Sequence, residues 1–452
     1  MKGQGMNIVL LSGGSGKRLW PLSNDIRSKQ FIKLFRAGGD HESMVQRVYR
    51  QIRSADPGAS VTIATSKAQV SAIHNQLGAE TDVSVEPCRR DTFPAIALAC
   101  AFLRDVKGLK ETEAVVICPV DPYVEDGYFD CVRELYAEAE KGRKNLVLMG
   151  IQPTGPSDRY GYIRPFRDAE GNTGYTFTEK PTEEQAEAYI RAGAMWNGGV
   201  FAFRLGYLLG KSRELLGTDS YRALFDGYAS LPKISFDYAV AEKEPSIQVM
   251  RYSGMWKDIG TWKALAETMA ETVVGRGTAA ESENVHIVNE LDLPILAMGL
   301  KDAVIAASPD GILVAAAEHA DRIKPYVDAM EQQVMYAEKS WGNYRVIDVG
   351  SRSLTLKVTL NGGQRMSYHS HERRDEVWTV ISGGGRVILD GEEKPVGPGD
   401  MVRMQAGQRH TVIADGQGLE MIEVQLGSDI SAADKHKYGA VPGFPERETD
   451  RP

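Results

Sequence analysis

The first residues whose types and spacing could do chemistry form a glycine-rich loop near the start of the chain. The loop reads SGGSG from Ser12 to Gly16, Lys17 and Arg18 follow it directly, and Lys29 comes later. Glycines allow a backbone to approach a phosphate chain and to point N–H groups at it. The loop matches neither a dinucleotide-binding fingerprint nor a P-loop, and a flexible loop with solvated charges is the plain alternative.

A second reactive group lies in the last quarter of the chain and contains three of its eight histidines. The spacing there resembles the two cupin motifs, which are carried by Gly363, His369, His371, Glu376 and Gly383, and then by Gly399, Gly407 and His410. His369 and His371 share one face of a strand because they are two residues apart. Glu376 and His410 can complete a site of three imidazoles and one carboxylate. This ligand set suits Zn²⁺, Mn²⁺, Fe²⁺ or Ni²⁺.

The elements that must position the glycine loop alternate between strands and helices over the first 150 residues. The predicted strands are the short apolar runs 8–11, 61–64, 115–118 and 146–149, and the predicted helices are 94–106 and 128–141. This alternation indicates an α/β fold with a mostly parallel sheet that helices cover on both faces. Ligands in such sheets bind beyond the carboxyl ends of the strands.

The histidines require a different scaffold. Short β-rich pieces between residues 281 and 327 predict a small connecting unit, and residues 344–426 are dense in strands separated by glycine turns. That spacing is typical of a small antiparallel barrel or jelly roll. We predict three parts: a ligand-binding α/β domain over 1–275, a short β-rich connector over 276–333, and a cupin domain with a polar tail over 334–452.

Composition limits the classes of function. The chain has 452 residues, of which 42% are hydrophobic and 25% are charged, and its net charge is -8, which argues against nucleic acid as a partner. No run of about 18 apolar residues predicts a membrane span, and Met6 to Leu11 reads as a strand and not as a signal peptide. The four cysteines have no CxxC spacing. We therefore expect a cytoplasmic protein with reduced thiols and no membrane partner.

A longer set of motifs resembles the mannose-1-phosphate guanylyltransferases, a branch of the sugar nucleotidylyltransferases. The glycine loop continues as Arg18-Leu19-Trp20-Pro21-Leu22-Ser23 and is followed by Lys29-Gln30-Phe31. Further motifs follow in the family's order: EPCRRDTFPA at 86–95, CPVDP at 118–122, YGYI at 160–163, EKP at 179–181, WNGGVF at 196–201 and WKDIGTW at 256–262. The resemblance spans about residues 6 to 330.

The resemblance implies a Rossmann-like nucleotidylyltransferase domain and an activity. A phosphate oxygen of mannose 1-phosphate would attack the α-phosphorus of GTP, giving GDP-mannose and pyrophosphate, with Mg²⁺ as the bridging cation. Asp121 and Asp258 are the implied metal carboxylates, and Arg18 and Lys29 would hold the phosphates. The alternatives are a helix cap or turn for either aspartate and a surface ion pair for either cation. A homo-oligomer, most simply a dimer, is expected.

The resemblance also implies the binding residues. Those for the nucleotide are Leu11, Gly13, Gly14, Gly16, Lys17, Glu86, Arg90, Asp91 and Thr92. Those for the sugar phosphate are Gly161, Glu179, Lys180 and Asn197. The chain departs from the family pattern at Lys17, where threonine is usual, and at Arg89 and Asp91, where glycine and asparagine are usual. Arg89 and Asp91 lie in the segment that would recognise the nucleotide base.

The order of the two parts resembles that of type II phosphomannose isomerases fused behind such a transferase. Lys357 and Arg374 are the implied acid/base or substrate-orienting groups of an aldose–ketose isomerase. Arg374, Glu376 and Trp378 match the isomerase motif, whereas Arg373 and Val377 replace its histidines. A structural or regulatory cupin therefore competes with an active isomerase.

Three functions remain open. The chain is a guanylyltransferase with a cupin of unassigned role, or a bifunctional enzyme that also interconverts mannose 6-phosphate and fructose 6-phosphate. The third is a metal-cupin binding or sensor protein whose first half only binds a nucleotide sugar. Another pair of sugar 1-phosphate and nucleoside triphosphate, such as glucose 1-phosphate or a heptose 1-phosphate, would suit the same machinery.

Overall fold

A computed structural model of the chain describes residues 5–14, 17–24, 26–167, 171, 173–330 and 333–439. Two compact units emerge from the pattern of contacts. The first comprises the described parts of Met1–Ser15, Lys29–Val70 and Glu80–Ala270. The second comprises those of Gly16–Ser28, Ser71–Ala79 and Glu271–Pro452. Two short stretches of the N-terminal sequence thus group with the C-terminal half.

The first unit contains strands β1 to β13. They are Asn7–Ser12, Lys33–Ala37, Asp40–Ser43, Ser60–Ser66, Asp82–Glu86, Ala114–Pro119, Pro122–Val124, Leu146–Ile151, Tyr162–Arg167, Thr173–Thr178, Met195–Arg204, Ile247–Tyr252 and Trp256–Asp258. The main sheet has the order β10-β9-β11-β6-β1-β4-β5, and β8 joins β11 to β12. Strands β6, β1, β4 and β5 are parallel. The sheet as a whole is mixed, because β11 runs antiparallel to β6, β8 and β9.

The helices of the first unit cover this sheet, and several helices of the chain begin or end where local signals predict. Along the chain α1 to α10 are Met44–Ala55, Val70–Leu77, Thr92–Asp105, Gly127–Lys141, Glu183–Arg191, Leu205–Leu216, Tyr221–Asp226, Phe236–Ala239, Trp262–Ala266 and Lys324–Ala329. Helix α1 begins at a capping box between Ser43 and Gln46, which satisfies two otherwise unpaired N–H groups. Helix α4 ends at Gly142, whose left-handed conformation (φ 63°) favours glycine.

The core of the first unit lies around α3. Ten of the fourteen residues of this helix are buried, against the apolar side chains of β1, β6, β8 and β11. The strands read as continuous apolar runs because both of their faces are covered, as expected for parallel strands. Burial of these surfaces at about 25 cal/mol per Å² is the main stabilising contribution.

The second unit contains strands β14 to β28 and the helices α2 beyond Val70 and α10. Its first strands are Val273–Val274, Gly277–Ala280, Glu283–Asn289, Ile295–Met298, Lys301–Ser308 and Gly311–Ala316. They form a sheet of order β14-β16-β18-β19 and a parallel pair of β15 with β17. Val285, Ile287 and Ala303 are among the residues of its small core.

The remaining strands, β20 to β28, form a curled antiparallel sheet. They are Tyr336–Lys339, Gly342–Val349, Ser353–Leu360, His369–Ser370, Arg374–Leu389, Glu392–Val396, Met401–Met404, His410–Gly427 and His436–Lys437. The order is β20-β21-β22-β27-β23-β28, and β24 pairs with β25, β26 and β27. Two long strands, β24 and β27, pair over most of their length and bend at bulges near Ser382 and Gly385. The curvature encloses an apolar core that includes Trp378, Val412 and Met421.

Polar contacts hold the first of the N-terminal stretches within the second unit. Arg27 donates two hydrogen bonds to Glu290, at 2.8 and 2.9 Å, and its guanidinium lies over the ring of Tyr336. Asn24 donates to Asp310 at 2.9 Å. Such bidentate, charge-assisted bonds are stronger than neutral ones. They join residues more than 260 positions apart in the sequence.

Two sequence-based expectations concern the chain as a whole. No helix among the described residues is long and apolar enough to cross a bilayer. The four cysteines are free thiols: Cys100 and Cys118 are buried, and Cys88 and Cys131 are partly exposed. Burial raises the pKa of the Cys118 thiol to about 12, and burial with the charge of Glu134 raises that of Cys131 to about 11. These thiols are therefore poor nucleophiles at neutral pH.

Candidate active site and candidate metal centre

Two of the predicted carboxylates face one ammonium group at the edge of the main sheet. Lys29 Nζ lies 2.9 Å from Asp121 Oδ2 and 3.8 Å from Asp258 Oδ1, and it donates to the carbonyl oxygen of Ile259 at 3.0 Å. The Lys29 side chain is 18% exposed, whereas those of Asp121 and Asp258 are 41% and 33% exposed. The aspartates can therefore be reached by a ligand. Carboxylate oxygens are the protein ligands that Mg²⁺ prefers.

Strand pairing explains why these carboxylates meet. Asp121 follows β6 by two residues and precedes β7, which pairs antiparallel with β13 so that Pro122 lies opposite Asp258. Strand β1, which leads into the glycine loop, is parallel to β6 and pairs Leu11 with Pro119. Gly13, Gly14 and Asp121 thus leave the carboxyl ends of two adjacent strands, where α/β sheets bind ligands.

Three of the predicted sugar-binding residues also meet at this edge. Asn197 lies near the start of β11, its backbone N–H donates to the carbonyl of Gly161 at 2.8 Å, and Gly161 lies against Glu179. A Cβ atom on Gly161 would lie 2.6 Å from Glu179 Oε2 and 3.6 Å from Asn197 Cβ. A side chain at this position would therefore displace the carboxylate of Glu179. Lys180, whose side chain is 64% exposed, lies 3.2 Å from Glu179.

A fourth acidic residue, Asp237, fixes the side chain of Asn197. Its Oδ1 accepts from Asn197 Nδ2 at 2.6 Å, while Asn197 Oδ1 accepts from the N–H of Gly199 at 3.1 Å. The amide therefore has one defined orientation. Burial, and then the negative charge of Glu179, raises the pKa of Asp237 to about 6, although the bond from Asn197 lowers it. The sequence motifs do not include Asp237.

Three aromatic side chains connect the sugar residues to the aspartates. Tyr160, Trp196 and Trp256 form a cluster with ring centroids 4.7, 5.3 and 6.1 Å apart. Tyr160 and Trp196 directly precede Gly161 and Asn197, and Trp256 begins the strand that carries Asp258. Burial, and then the charge of Asp258, raises the pKa of Tyr160. The backbone segments that carry the predicted sugar-binding residues and Asp258 are thus held together by one packed aromatic cluster.

The predicted nucleotide residues surround the start of α3. Asp91 caps this helix by accepting from the N–H of Thr92 at 2.8 Å, and its backbone has a positive φ of 69° with a ψ of -177°, a conformation that side chains other than glycine rarely adopt. The Thr92 hydroxyl accepts from the N–H of Phe236 at 2.8 Å. Arg90 hydrogen-bonds the carbonyl of Ala229. Asp91 and Thr92 thus have structural partners beside the roles implied for them.

Glu86 ends β5 and is held by a buried tyrosine. The Tyr228 hydroxyl, in a fully buried side chain, donates to Glu86 Oε2 at 2.8 Å. Burial raises the pKa of Glu86, partly offset by this hydrogen bond and by Arg89. Arg89, one of the departures from the family pattern, also donates to the carbonyl of Gly14 at 3.4 Å. It thereby links the glycine loop to the β5–α3 turn.

The rest of the glycine loop is described in part. Gly16 lies outside the described residues, as does the side chain of Lys17. Gly14 has a φ of +121°, a value that glycine adopts without strain, and nothing would meet a Cβ atom there. Arg18 lies in the 3-10 helix Lys17–Leu19 with its side chain exposed, in the stretch that groups with the second unit.

The histidine cluster predicted in the cupin comes together as a buried group. His369, His371, Glu376 and His410 offer ligand atoms that all lie within 4.8 Å of one another. Each residue is at most 3% exposed. His369 and His410 are direct partners on β23 and β27, and Glu376 lies on the inward face of β24. Residues far apart in the sequence are thus brought together by the pairing of strands.

Hydrogen bonds fix the tautomer of each imidazole. The Nδ1 atoms of His369, His371 and His410 lie 2.7, 2.8 and 2.9 Å from the backbone carbonyl oxygens of Ser367, Asp434 and Gln408. A carbonyl oxygen only accepts, so each Nδ1 carries the proton and each Nε2 offers its lone pair. Metal-binding histidines are oriented in this way.

The atoms that face one another in this cluster test whether a metal fits. His371 Nε2 lies 2.9 Å from Glu376 Oε1, and His410 Nε2 lies 3.3 Å from Glu376 Oε2. Neither His410 Nε2 nor Glu376 Oε2 has a hydrogen-bond partner among the described residues. Burial lowers the pKa of His369 well below its usual value, so charging this imidazole is unfavourable. A divalent cation would satisfy these opposed acceptors.

Arg374 and Glu423 border the cluster. Arg374 is buried and lies 3.4 Å from Glu376 Oε1 and 3.3 Å from His371 Nε2. Burial, and then the negative charge of Glu376, raises the pKa of Glu423 to about 8.

Lys357, the other residue implied for an isomerase, does not lie with Arg374 at the cluster. Along β22 Leu356 and Val358 are buried in the core, so Lys357 between them lies on the outer face. It forms an ion pair with Glu420 at 3.3 Å and lines an outer cleft of about 340 Å³ together with Arg345 and Tyr336. A strand that places its neighbours in the core cannot also direct Lys357 there.

Comparisons with known proteins agree with this architecture. The family model described as nucleotidyl transferase matches residues 7–273, and the cupin domain model matches residues 356–424. Mannose-1-phosphate guanylyltransferase ManC of Salmonella typhimurium is 30% identical over 96% of this chain and 98% of its own. Xanthan biosynthesis protein XanB of Xanthomonas campestris pv. campestris is 31% identical over 94% and 96%. The solved structure named mannose-1-phosphate geranyltransferase, from Thermus thermophilus, covers 72% of this chain and 99% of its own at 29% identity and a TM-score of 0.60.

The fold, the site at the sheet edge and these models define a class: a nucleotidyl transferase whose chain continues into a cupin. Within that class, the chain belongs to the mannose-1-phosphate guanylyltransferase family. The fold class and the family resemblance predicted from the sequence are thereby confirmed.

Proposed function

We propose that the chain transfers a guanylyl group from GTP to mannose 1-phosphate, giving GDP-mannose and pyrophosphate. The convergence of Asp121 and Asp258 on Lys29 carries this proposal, because phosphoryl transfer needs charge neutralisation more than covalent chemistry. Family membership and the sugar-site residues at the same sheet edge support the choice of substrates.

In this reaction a phosphate oxygen of mannose 1-phosphate attacks the α-phosphorus of GTP in line. The new P–O bond forms as the bond to the β-phosphate breaks, and pyrophosphate leaves with the bonding electrons. Asp121 and Asp258 would hold Mg²⁺, which neutralises charge on the phosphate oxygens. Lys29 and Arg18 would bind the phosphates, and the backbone of Gly13, Gly14 and Gly16 would approach the triphosphate with Lys17 and Leu11 beside it.

The remaining predicted residues would orient the two substrates. Glu179 and Asn197 would hold mannose hydroxyls, Gly161 would leave room for the ring, and Lys180 would contact the sugar phosphate. Glu86, oriented by Tyr228, would accept from N1–H and the amino group of guanine, which are donors that adenine lacks at these positions. Arg90, Asp91 and Thr92 would lie beside the base or ribose. A cytoplasmic location and a homodimer remain predictions.

The test is pyrophosphate release by the purified chain with Mg²⁺, across the common nucleoside triphosphates and a panel of sugar 1-phosphates. We expect turnover with GTP and mannose 1-phosphate, and a loss of about 100-fold or more in kcat for Asp121→Asn. Asp130→Asn, which changes an exposed carboxylate paired with Arg133, is the matched control and should retain activity. Turnover only with another pair of substrates would contradict the choice of GTP and mannose 1-phosphate but keep the reaction class. The absence of turnover with any pair would refute the transferase activity.

A second candidate function concerns the cupin. The buried imidazoles and Glu376 would hold Zn²⁺, Mn²⁺, Fe²⁺ or Ni²⁺, and Arg374 beside them would orient an anionic substrate for aldose–ketose isomerisation. Interconversion of mannose 6-phosphate and fructose 6-phosphate, assayed with each metal, tests this activity. Loss in Arg374→Ala with retention in Lys357→Ala is expected, whereas no interconversion with any metal would leave a structural or sensing centre.

A further inference from the structure

The chain returns across the histidine cluster after the cupin strands have ended. The family match to the cupin stops at residue 424 and β27 stops at Gly427. The segment Ser431–Tyr438, here named the C-terminal strap, then forms β28, which pairs with β23 so that Lys437 lies opposite His369. The strap therefore extends the sheet beside the strand that carries the first cluster histidine.

Asp434 in the strap contacts the second cluster histidine. Its carbonyl oxygen lies 2.8 Å from His371 Nδ1, and its fully buried carboxylate accepts the N–H groups of Glu372 and Arg373 at 3.1 and 3.2 Å. A carboxylate that accepts two adjacent N–H groups fixes the backbone on both sides of the contact. Asp434 thus holds the turn after His371 and supplies the oxygen that orients its imidazole.

The strap also holds Arg374. The carbonyl oxygen of Ser431 accepts from Arg374 Nη1 at 2.9 Å, and the carboxylate of Asp434 lies 3.7 Å from the same nitrogen. Arg374 in turn approaches Glu376 and His371 at 3.4 and 3.3 Å. One end of the guanidinium is thereby anchored to the strap, and the other faces the cluster.

The far end of the strap is fixed independently of Asp434. The N–H of Tyr438 donates to the carbonyl of Tyr368 at 2.8 Å, and its hydroxyl lies 3.0 Å from Ser370 Oγ. The guanidinium of Arg409 lies over the Tyr438 ring at 4.2 Å from its centroid. Because Tyr368 and Ser370 flank His369, this end of the strap is attached to the segment that carries the first cluster histidine.

We propose that the C-terminal strap is part of the metal centre, with Asp434 as a positioning residue that sets the orientation of His371 and Arg374. This inference rests on the metal centre proposed above. A strap that only added stability would change the unfolding temperature when altered. A positioning strap also changes the affinity for the metal and the ligand field, because hydrogen bonds behind metal ligands tune both.

The experiment measures Co²⁺ binding to the full chain by titration and by its visible spectrum. The variants are Asp434→Ala and the isosteric Asp434→Asn, which keeps one acceptor oxygen. Glu393→Gln is the matched control, because Glu393 lies on β25, which pairs with β24, and forms an ion pair with Arg386, whose side chain is 41% exposed. We expect affinity to fall about 10- to 100-fold in Asp434→Ala, less in Asp434→Asn and not in the control.

The outcomes separate the two proposals. A folded Asp434→Asn variant with the wild-type affinity and spectrum would overturn the strap inference while leaving the metal centre intact. The same holds if both Asp434 variants lower only the unfolding temperature. A wild-type chain that binds no Co²⁺, Zn²⁺ or Mn²⁺ would overturn the metal centre and the strap inference together.

Discussion

Asp237, whose carboxyl group holds Asn197 of the predicted sugar site, makes the stability of the fold depend on pH. Its pKa is raised from 3.8 to about 6, by burial first and by Glu179 second. A carboxyl group with a higher pKa in the folded chain binds its proton more tightly there. Its stabilising contribution is complete below its unfolded pKa and is lost as the pH rises through about 6.

We therefore expect the free energy of unfolding to fall by about 1 to 2 kcal/mol between pH 4 and pH 6.5 through this group. Asp237→Asn should remove that part of the pH dependence, and Asp226→Asn, an exposed carboxyl group paired with Arg222, should not. Urea unfolding at several pH values measures the difference. Parallel curves for Asp237→Asn and the wild type would contradict the assignment.

At the scale of elements, the long strands β24 and β27 depend on glycines to bend. Gly383 has a φ of +73°, and a Cβ atom there would overlap the carbonyl oxygen of Gly418 on the opposing strand. At its neighbour Gly384 the nearest atom to an added Cβ would be Asp415 Oδ2 at 3.2 Å, which belongs to an exposed side chain that can shift. The backbone conformation and the contact with Gly418 thus require glycine at position 383 but not at position 384.

Gly383→Ala should destabilise the cupin by about 2 kcal/mol or more, because it combines an unfavourable conformation with a backbone clash. Gly384→Ala, with the same change in composition, should cost less than about 1 kcal/mol. Thermal unfolding followed by tryptophan fluorescence compares them, since Trp378 lies in the affected core. Equal destabilisation would show that the bend does not depend on Gly383.

Local patterns in the sequence were sufficient for several of these elements. The apolar runs at 8–11 and 115–118 lie in β1 and β6, and the HxH spacing placed His369 and His371 in one cluster. Alternation of apolar and polar residues along β22 likewise places Lys357 on the face opposite to that of Leu356 and Val358.

Other parts had no local signal. Arg27 and Asn24 bind partners 263 and 286 residues away, and nothing in the surrounding sequence predicts that their segment groups with the second unit. Asp237 and Asp434 act through hydrogen bonds to residues in distant strands, so they resemble ordinary cap residues in the sequence. Such contacts follow from the tertiary fold and not from periodicity.

On the scale of the whole molecule, each unit has its own apolar core. One core surrounds α3, and another lies inside the curled sheet around Trp378. A ligand that binds only the native cupin stabilises the part of the molecule whose unfolding destroys its site. Bound metal should therefore raise the unfolding temperature of the cupin, and bound nucleotide should raise that of the first unit.

Differential scanning calorimetry measures this. At free metal about 100 times its Kd, the cupin transition should gain about 2.7 kcal/mol and move to higher temperature. The transition of the first unit should move with GTP and Mg²⁺ instead. His371→Ala is the control for the first effect and should abolish it. A shift of both transitions by metal alone would show that the two units unfold together.

The three hydrogen bonds that fix the imidazole tautomers also have a spectroscopic consequence. An N–H proton that is buried and bonded to a carbonyl oxygen exchanges slowly with water, and His369, His371 and His410 each hold one such proton. In a nuclear magnetic resonance spectrum these ring protons should give separate signals far from the amide region. These ring-proton signals can be recorded before and after metal is added, without any label, and would report directly on the cluster.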